Sequence, residues 1–578
     1  ITPIKAIFTC LTIFAILQSS LNARPYDETK TQRFRDSFKN AVLKESTDNY
    51  QTDIEALNLY SAEEKKPFTM EECLKQENIL TSLVTDDGKY SLIQTYVWIK
   101  NTEDPTGPGT YQIGYTFIDL TTPTPTKSPF TGLEPGAGGF KFIFTQAKYF
   151  LFYTSGNDIV YSEVDIANKA ALAKVSVLTV PTGIASFKLA GDALSLVLST
   201  RVYYKKTPQE TVTEDQNVNP NYTLFDRLMV NHWDVWDDSK VNALLYQKLK
   251  FADNVFSVDG NLIDVTSTLE EGNSPVPPFG GPEQYSINSD GTQIAFTFAR
   301  RVNESRDTSW RIYLADVTKT PVAPKDITTN TEDPTKHFVG RTQNPQFGPD
   351  GTVYFLAMPR ALLESDLLYL VSYKSDGTVT HLTKTYKYII SNFVIKDNYA
   401  VLHLSFDGNQ EVKSINLQQD FSKELEVFDL IGYKEGTTFL QSIRSISNIV
   451  KTATGYYFYT VDDSLRAPEE FTRYSLTDLK TFTTKRESLL NPNPNFLTEF
   501  NVDAEVTRYK FKGATNDNSQ GWIIKPKTGK DKYPVSLLVH GGPEGESWTN
   551  SFFSKNNWNA LLWVSKGFAV VLINPEGS

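Results

Sequence analysis

Cysteine is almost absent from this sequence. Only Cys10 and Cys73 occur among the 578 residues. Cys10 lies in an apolar N-terminal run that is typical of a cleaved leader, so Cys73 is left without an internal partner. A fold held together by internal disulfides is therefore excluded for the residues given.

Long apolar runs are lacking as well. The run "AIFTCLTIFAIL", Ala6 to Leu17, follows Lys5 and precedes "QSSLNA". It is well short of the roughly 20 residues that span a bilayer. The pattern predicts a secretory signal peptide over residues 1–23, with cleavage after Ala23, and hence an extracellular protein without a membrane span. A buried helix is the alternative. Secretion would make the sequons at Asn221 and Asn303 glycosylation sites.

Positive charge is in deficit. The net charge is −11 and the isoelectric point is about 5.2. This balance argues against nucleic acid and anionic membranes as the main partners. No phosphate-binding loop is found, so we expect no nucleotide cofactor. The five histidines lack ligand-like pairing, so we expect no metal; they are His232, His337, His381, His403 and His540. The sequence predicts that His232, Trp233 and Trp236 pack inside a β-sheet.

Short strand-like segments dominate from about residue 68 to residue 500. Examples are "KYSLIQTYVWI", "TQIAFTFARR" and "GTVYFLAMPR", which alternate apolar and polar residues and are rich in β-branched and aromatic types. Asp-Gly turns recur at residues 87–88, 259–260, 290–291, 350–351, 376–377 and 407–408. We predict a β-propeller of seven or eight blades over residues 68–500. Unrelated hairpins in a sandwich are the alternative. Residues 24–67 are polar, and either helix or disorder fits them.

The pattern changes after residue 500. A hairpin-like segment is followed by the apolar strand "YPVSLLVH", the helix-like "WNALLWVSKG" and a second apolar strand, "FAVVLINPEGS". Strands that are apolar on both faces, joined by a helix, indicate a parallel sheet. Residues 501–578 therefore predict the start of an α/β domain, too short for a complete doubly wound sheet.

A His-Gly-Gly-Pro sequence, residues 540–543, ends the first of these apolar strands. Glycines at the carboxyl end of a parallel strand let the backbone turn and expose its N–H groups. In α/β hydrolases the loop after the third strand supplies one oxyanion-hole donor. His540 is placed to support this loop by hydrogen bonding. The same letters at Gly280-Gly281-Pro282 follow a proline-rich loop instead of a strand, so no catalytic role is predicted there.

These segments resemble the prolyl oligopeptidase family of serine peptidases. "LLVHGGPEGESW" and "FAVVLINPEGS" are similar to that family's His-Gly-Gly-Pro and Asn-Pro-Arg-Gly-Ser motifs. "LMVNHWDVWDD", "PPFGGPEQYSINSDGTQIAFTFA" and "PQFGPDGTVYFLAMPRALLESD" resemble its secreted fungal dipeptidyl-peptidase V group. The resemblance implies a propeller capping an eight-stranded α/β hydrolase, with a Ser-Asp-His triad. It also implies release of N-terminal dipeptides from short peptides. By the family's motif, the backbone N–H of Gly542 would bind the oxyanion and His540 would support the loop.

The family's nucleophile motif is missing. No Gly-x-Ser-x-Gly occurs, and the nearest sequence, Gly545-Glu546-Ser547-Trp548-Thr549, lacks the last glycine. We therefore expect an N-terminal fragment without the triad, inactive by itself. Glu576 stands where the family has arginine. It fits an altered substrate preference, an inactive homologue or a sequence error. The alternative function is a non-catalytic secreted propeller that binds partners and retains a hydrolase remnant.

Overall fold

The computed structural model describes most of the chain after residue 64. The described residues are 65–100, 109–218, 224–225, 228–329, 333, 337–363, 366–432, 441–513, 518–541, 548–552 and 559–575. The predictions for the signal peptide and for residues 24–64 lie outside this part of the chain.

Antiparallel sheets follow one another along most of the described chain. Sheet 1 contains β1 (Asn78–Val84), β2 (Tyr90–Ile99), β3 (Thr110–Asp119) and β4 (Thr126–Pro129). Sheet 2 contains β5 (Gly138–Thr145), β6 (Lys148–Ser155), β7 (Asp158–Asp165), β8 (Ala170–Ala171) and β9 (Val175–Thr179). Sheet 3 contains β10 (Ser186–Leu189), β11 (Ser195–Tyr203), β14 (Lys240–Ala252), β15 (Val255–Val258) and β16 (Ile263–Asp264). A separate hairpin of β12 (Asn231–His232) and β13 (Val235–Trp236) interrupts sheet 3 between β11 and β14.

Four further sheets complete this series. Sheet 4 contains β17 (Gly272–Asn273), β18 (Tyr285–Ile287), β19 (Gln293–Arg300), β20 (Arg311–Asp316) and β21 (Lys325–Asp326). Sheet 5 contains β22 (Thr342–Phe347), β23 (Val353–Ala357), β24 (Tyr369–Tyr373) and β25 (Val379–His381). Sheet 6 contains β26 (Ile390–Lys396), β27 (Tyr399–Phe406), β28 (Asn409–Asn416) and β29 (Phe428–Ile431). Sheet 7 contains β30 (Ser442–Thr452), β31 (Gly455–Ser464), β32 (Ala467–Leu476) and β33 (Arg486–Leu490).

Helices are few and short among the described residues. The α-helices are α1 (Met70–Leu74), α2 (Pro208–Asp215), α3 (Phe496–Glu499) and α4 (Ala560–Val564), and 3-10 turns cover Pro282–Gln284 and Arg301–Asn303. No helix in the described ranges is long and apolar enough to cross a membrane. The prediction of a mostly β protein is confirmed.

Each of these sheets shares a hydrophobic core with the next one in the chain. Sheet 7 in turn packs against sheet 1. Sheet 1 contributes Val84, Ile93, Ile118 and Leu120 to that last core, and sheet 7 contributes Val450, Tyr459, Val461, Phe471 and Leu489. The order of packing therefore returns to its starting point, and each sheet buries both of its apolar faces.

The predicted Asp-Gly pairs lie at turns. All six glycines have positive φ, between +70° and +85°. Among the six aspartates, only Asp407 shares this conformation, with φ of +55°. Glycine adopts left-handed backbone geometry at no steric cost, which is why it marks these turns in the sequence.

An eighth sheet follows sheet 7. It contains β34 (Ala504–Lys512), β35 (Asn518–Pro526), β36 (Val535–Leu538) and β37 (Ala569–Asn574) in the order β34-β35-β37-β36. β36 and β37 pair in parallel, and α4 lies between them in the chain, as the sequence predicts. The core of sheet 8 also includes Phe68 and Cys73, which precede sheet 1.

Candidate functional site

His540 lies two residues beyond the end of β36. Its Nδ1–H donates to the carbonyl oxygen of Gly541 at 3.1 Å, and its ring meets the Trp548 ring edge-on at 6.2 Å. Its Nε2 is buried and has no hydrogen-bond partner within the described part of the chain. A Cβ added to Gly541 would meet no atom within 4 Å. Gly542 and Glu576 lie outside the described residues.

Residues 548–552, which follow the His-Gly-Gly-Pro sequence in the chain, are hydrogen-bonded to β37. The backbone N–H of Trp548 donates to Oδ1 of Asn574 at 3.0 Å, and Nδ2 of Asn574 donates to the Trp548 carbonyl at 3.1 Å. The indole N–H of Trp522, on β35, reaches the same carbonyl at 3.0 Å. Sheet 8 thus fixes the chain on the far side of the His-Gly-Gly-Pro loop.

Turns of sheets 6 and 7 hold the next residues. The Asn550 N–H donates to the carbonyl of Gly408 at 2.8 Å, and Oδ1 of Asn550 accepts from the Leu465 N–H at 3.0 Å. The carboxylate of Asp463 accepts from the Ser551 hydroxyl at 2.7 Å and from the Phe552 N–H at 3.0 Å. These contacts place the turns between the second and third strands of sheets 6 and 7 against sheet 8.

Asp463 is a buried acid at this junction. Burial raises the pKa of its carboxyl to about 7, although Arg444 and the two donors from Ser551 and Phe552 oppose that shift. The Arg444 Nε lies 4.0 Å from Oδ2 of Asp463, and the Arg444 guanidinium also pairs with Glu469. A group that titrates near neutrality therefore connects sheet 7 to sheet 8.

A cavity of about 1240 Å³ opens among sheets 3, 4 and 5. Its lining includes the connection between the second and third long strands of sheet 4, residues 304–310, connections that lead to the next sheet, such as those at His337 and Ile389, and the turn between β17 and β18 at residues 274–284. In sheets 6 and 7 the corresponding turns contact sheet 8. Because strands alternate in direction, these connections lie at one end of every sheet. The cavity therefore opens on the side of the molecule that carries sheet 8.

Carboxylates and arginines share the cavity wall. The acids are Glu283, Glu304, Asp307, Asp326 and Asp366, and the arginines are Arg300, Arg311 and Arg341. Arg300 pairs with Glu270 at 2.5 Å, and Arg341 lies over the Trp310 ring at 4.8 Å. In the described ranges, no group of three or more His, Cys, Asp or Glu side chains is arranged to hold a metal ion.

The packing prediction for the tryptophans was wrong. Trp233 and Trp236 are each 68% exposed, and Trp233 lines the cavity beside Phe279, which is 69% exposed. Aromatic residues in a strand-like run predict a core, but here they occupy a hairpin that stands outside sheet 3. His232 is half-buried and meets the Trp233 ring edge-on at 4.9 Å.

Sequence reasoning also missed the turn at residues 276–284. The sequence predicts no catalytic role for Gly280-Gly281-Pro282, whereas the structure places this turn in the cavity wall with Phe279 and Glu283. Asn221 lies outside the described residues. Asn303 ends the Arg301–Asn303 turn, and its side chain is likewise outside the described part.

Comparisons with known proteins bear on these features. No family model matches the chain. "Probable dipeptidyl-peptidase 5" of Arthroderma benhamiae is 26% identical over 364 residues, which cover 61% of this chain and 47% of that protein. "Dipeptidyl-peptidase 5" of Arthroderma otae is 24% identical over 449 residues, 74% of this chain and 58% of that protein. The chain thus spans about half the length of the curated relatives it matches.

A solved structure shares the fold. The acylaminoacyl peptidase of Pyrococcus horikoshii superposes with a TM-score of 0.57 at 15% identity, covering 88% of this chain and 67% of that one. At this identity the match concerns the fold alone. The curated relatives confirm that the chain resembles the fungal dipeptidyl-peptidase 5 group of the prolyl oligopeptidase family of serine peptidases.

Proposed function

We propose that these residues form part of a secreted serine peptidase that releases N-terminal dipeptides from short peptides through an acyl-enzyme. The observation that carries this proposal is the cavity of about 1240 Å³ on the side that carries sheet 8. Its volume suits a short peptide and would exclude a folded protein. The names of the curated relatives supply the reaction type.

The cavity also has the charge that an exopeptidase needs. Glu283, Asp307 and Asp326 line the cavity without a direct salt bridge in the described part of the chain, although Arg311 lies near Asp307 and Asp326 and Lys188 lies near Glu283. A free peptide N-terminus is a cation, so a concave site whose wall carries five carboxylates and three arginines favours it over a blocked terminus. This supports cleavage that starts from the N-terminus.

In this mechanism the His-Gly-Gly-Pro loop stabilises the transition state. The Gly542 N–H donates to the oxyanion that develops on the scissile carbonyl, and His540 holds the loop through its bond to Gly541. The Gly542→Pro variant of the full-length peptidase removes that donor and should abolish turnover while the β-sheets stay folded. Near-normal turnover would remove Gly542 from this role.

We further propose that sheets 1 to 7 are the seven blades of a propeller over residues 68–500, and that residues 501–578 begin the hydrolase domain. The circular order of shared cores supports seven blades. The missing Gly-x-Ser-x-Gly motif supports the view that the 578 residues alone do not hydrolyse peptides. An active-site fluorophosphonate probe should therefore label this chain no more than a heat-killed control.

The deciding experiment uses the full-length gene product. Chromogenic dipeptide amides with a free amine should be hydrolysed, whereas their N-acetylated counterparts should not. Reading the transcript beyond Ser578 tests the nucleophile independently, since the proposal requires a Gly-x-Ser-x-Gly sequence followed by Asp and His. Their absence would favour the second candidate, a non-catalytic peptide-binding propeller, which the missing motif also suits.

Secretion is part of the proposal. It rests on the apolar run at residues 6–17, and cleavage after Ala23 would give a mature protein that begins at Arg24. N-terminal sequencing of protein recovered from culture medium tests it. Loss of mass on deglycosylation, and its dependence on Asn221 and Asn303, tests the two glycosylation sites.

A further inference from the structure

Trp233 and Phe279 form an exposed aromatic pair in the cavity wall. Their ring centroids lie 5.5 Å apart at 66°. Each is more than two-thirds exposed, which is costly because an aromatic side chain has some 150–250 Å² to bury. An exposed aromatic cluster inside a concave site indicates a ligand contact.

The hairpin holds Trp233 in place. Trp233 has φ of +53°, a left-handed conformation that large side chains rarely adopt, and its carbonyl accepts from Nδ2 of Asn231 at 2.9 Å. At the base of the hairpin, Asp237 forms an ion pair with the buried guanidinium of Arg301, and the Asp237 N–H donates to the Val230 carbonyl at 2.9 Å. The indole is therefore presented by an anchored element.

Phe279 is presented by an equally tight turn. The Gly280 N–H donates to the carbonyl of Val276 at 2.8 Å, and a Cβ at Gly280 would lie 2.4 Å from that oxygen. The Val276 N–H is itself bound by Oε1 of Gln284 at 2.7 Å. Phe279 stands at the tip of this turn, and Glu283 follows it in the same cavity wall.

Apolar surface beside carboxylates that outnumber the arginines of the cavity wall suits one class of occupant. A short peptide offers an N-terminal ammonium for Glu283 and Asp307 and an apolar side chain for the aromatic pair. We propose that Trp233 and Phe279 form a subsite for an apolar or aromatic side chain among the first two residues of the peptide. This inference rests on the proposed dipeptidyl-peptidase function and names the residues that set its specificity.

The test compares substrates on the full-length peptidase. Four dipeptide amides are used, with alanine at both positions, phenylalanine at the first, phenylalanine at the second, and phenylalanine at both. For Trp233→Ala and Phe279→Ala, kcat/KM should fall about tenfold to thirtyfold for at least one phenylalanine substrate. For the all-alanine substrate it should change less than about threefold. The readout is the ratio of kcat/KM for a phenylalanine substrate to kcat/KM for the all-alanine substrate. Partial unfolding does not change this ratio, because it lowers kcat/KM equally for all substrates.

Trp236→Ala is the matched control. Trp236 lies on the same hairpin, is equally exposed and stacks on Phe225 at 6.0 Å, but it does not line the cavity. Its removal should leave the ratio unchanged. An unchanged ratio in both cavity variants overturns the inference, as does an equal loss for all substrates, which would mean that the pair packs against other parts of the protein. A wild-type protein that hydrolyses none of the substrates refutes the proposed function instead.

Discussion

Asp462 is a fully buried acid within sheet 7. Its carboxylate accepts two hydrogen bonds from Arg486, at 2.9 and 3.0 Å, and one from the Tyr474 hydroxyl at 2.5 Å. Asp462→Ala would leave the Arg486 guanidinium with Glu470 as its remaining partner. Since breaking a buried pair costs about 3–5 kcal/mol, we expect a loss of about 3 kcal/mol in unfolding free energy. Urea denaturation followed by circular dichroism measures it.

Glu163→Ala serves as the control for that variant. Glu163 pairs with Lys148 at 2.8 Å, but both side chains are about one-third exposed or more. Solvent screens such a pair, so the change should stay within about 0.5 kcal/mol. Equal effects of the two substitutions would contradict the role assigned to burial.

Asp463 should make stability depend on pH. Its pKa is about 7 in the folded chain and about 3.9 when unfolded. Between these values the folded state binds a proton that the unfolded state has lost, so this contribution is full below about pH 4 and declines until about pH 7. Urea midpoints at pH 4.5, 6 and 8 should therefore show wild type losing stability relative to Asp463→Asn as pH rises. Parallel pH profiles would show that Asp463 does not titrate in this range.

Some of the site could be predicted at the level of residues. His540 follows a strand that is apolar on both faces, and this context distinguishes residues 540–543 from the similar letters at residues 280–282. Trp233 and Phe279 could not be predicted as cavity residues, because aromatic side chains are the usual constituents of cores and no periodicity marks these two as exposed. Burial raises the pKa of Asp463, and the residues that contact it at this buried junction include Ser551 and Phe552, which lie almost 90 positions away.

The central strands of sheet 8 meet closely at Gly521. A Cβ at this position would lie 2.4 Å from the Leu572 carbonyl oxygen and 2.8 Å from the Tyr509 hydroxyl. Gly521→Ala should force β35 away from β37 and cost about 2 kcal/mol, as overpacking typically does. The neighbouring Trp522 is buried, so the loosening should also increase acrylamide quenching of tryptophan fluorescence.

Gly138→Ala is the matched control for this element. Gly138 is also in a strand, on β5, and an added Cβ there would meet its nearest atom, Oγ1 of Thr154, at 3.8 Å. That is an ordinary contact, so urea midpoint and quenching should stay near wild type. If Gly521→Ala behaves in the same way, the close approach of β35 and β37 is refuted.

At the level of elements, local sequence patterns predict individual strands, turns and the pairing of neighbouring strands. The parallel pair of β36 and β37 and the Asp-Gly turns follow from apolar runs and from glycine's freedom at positive φ. The packing of Phe68 into the core of sheet 8 has no such signal. The rings of Phe68 and Phe496 meet edge to face with their centroids 5.1 Å apart, although more than 400 residues separate them in the chain. The two segments meet where sheet 1 packs against sheet 7 and the chain enters sheet 8.

At the scale of the whole molecule, the first sheet packs against the last of the series, sheet 1 against sheet 7. The hydroxyls of Ser82, on β1, and Ser447, on β30, lie 2.5 Å apart although 365 positions separate them in the chain. Because the two hydroxyls are in contact, the Cβ atoms that carry them lie near each other and point towards each other, as a disulfide requires. We therefore predict that a Ser82→Cys, Ser447→Cys double variant forms a disulfide that joins the first sheet to the last.

Only two native cysteines, Cys10 and Cys73, could form a competing disulfide with the introduced ones. Cys10 is replaced by alanine, and Cys73 is retained because burial raises the pKa of its thiol to about 12 and keeps it unreactive. A bridge that closes so long a loop should stabilise the folded chain by about 4–5 kcal/mol against its reduced form. It should also increase mobility on a non-reducing gel. The Ser82→Cys single variant should show neither effect. The reference is the Cys10→Ala protein with Ser82 and Ser447 intact. If the oxidised double variant has two reactive thiols more than this reference, no disulfide has formed, sheets 1 and 7 are not neighbours, and the circular order of the sheets is wrong.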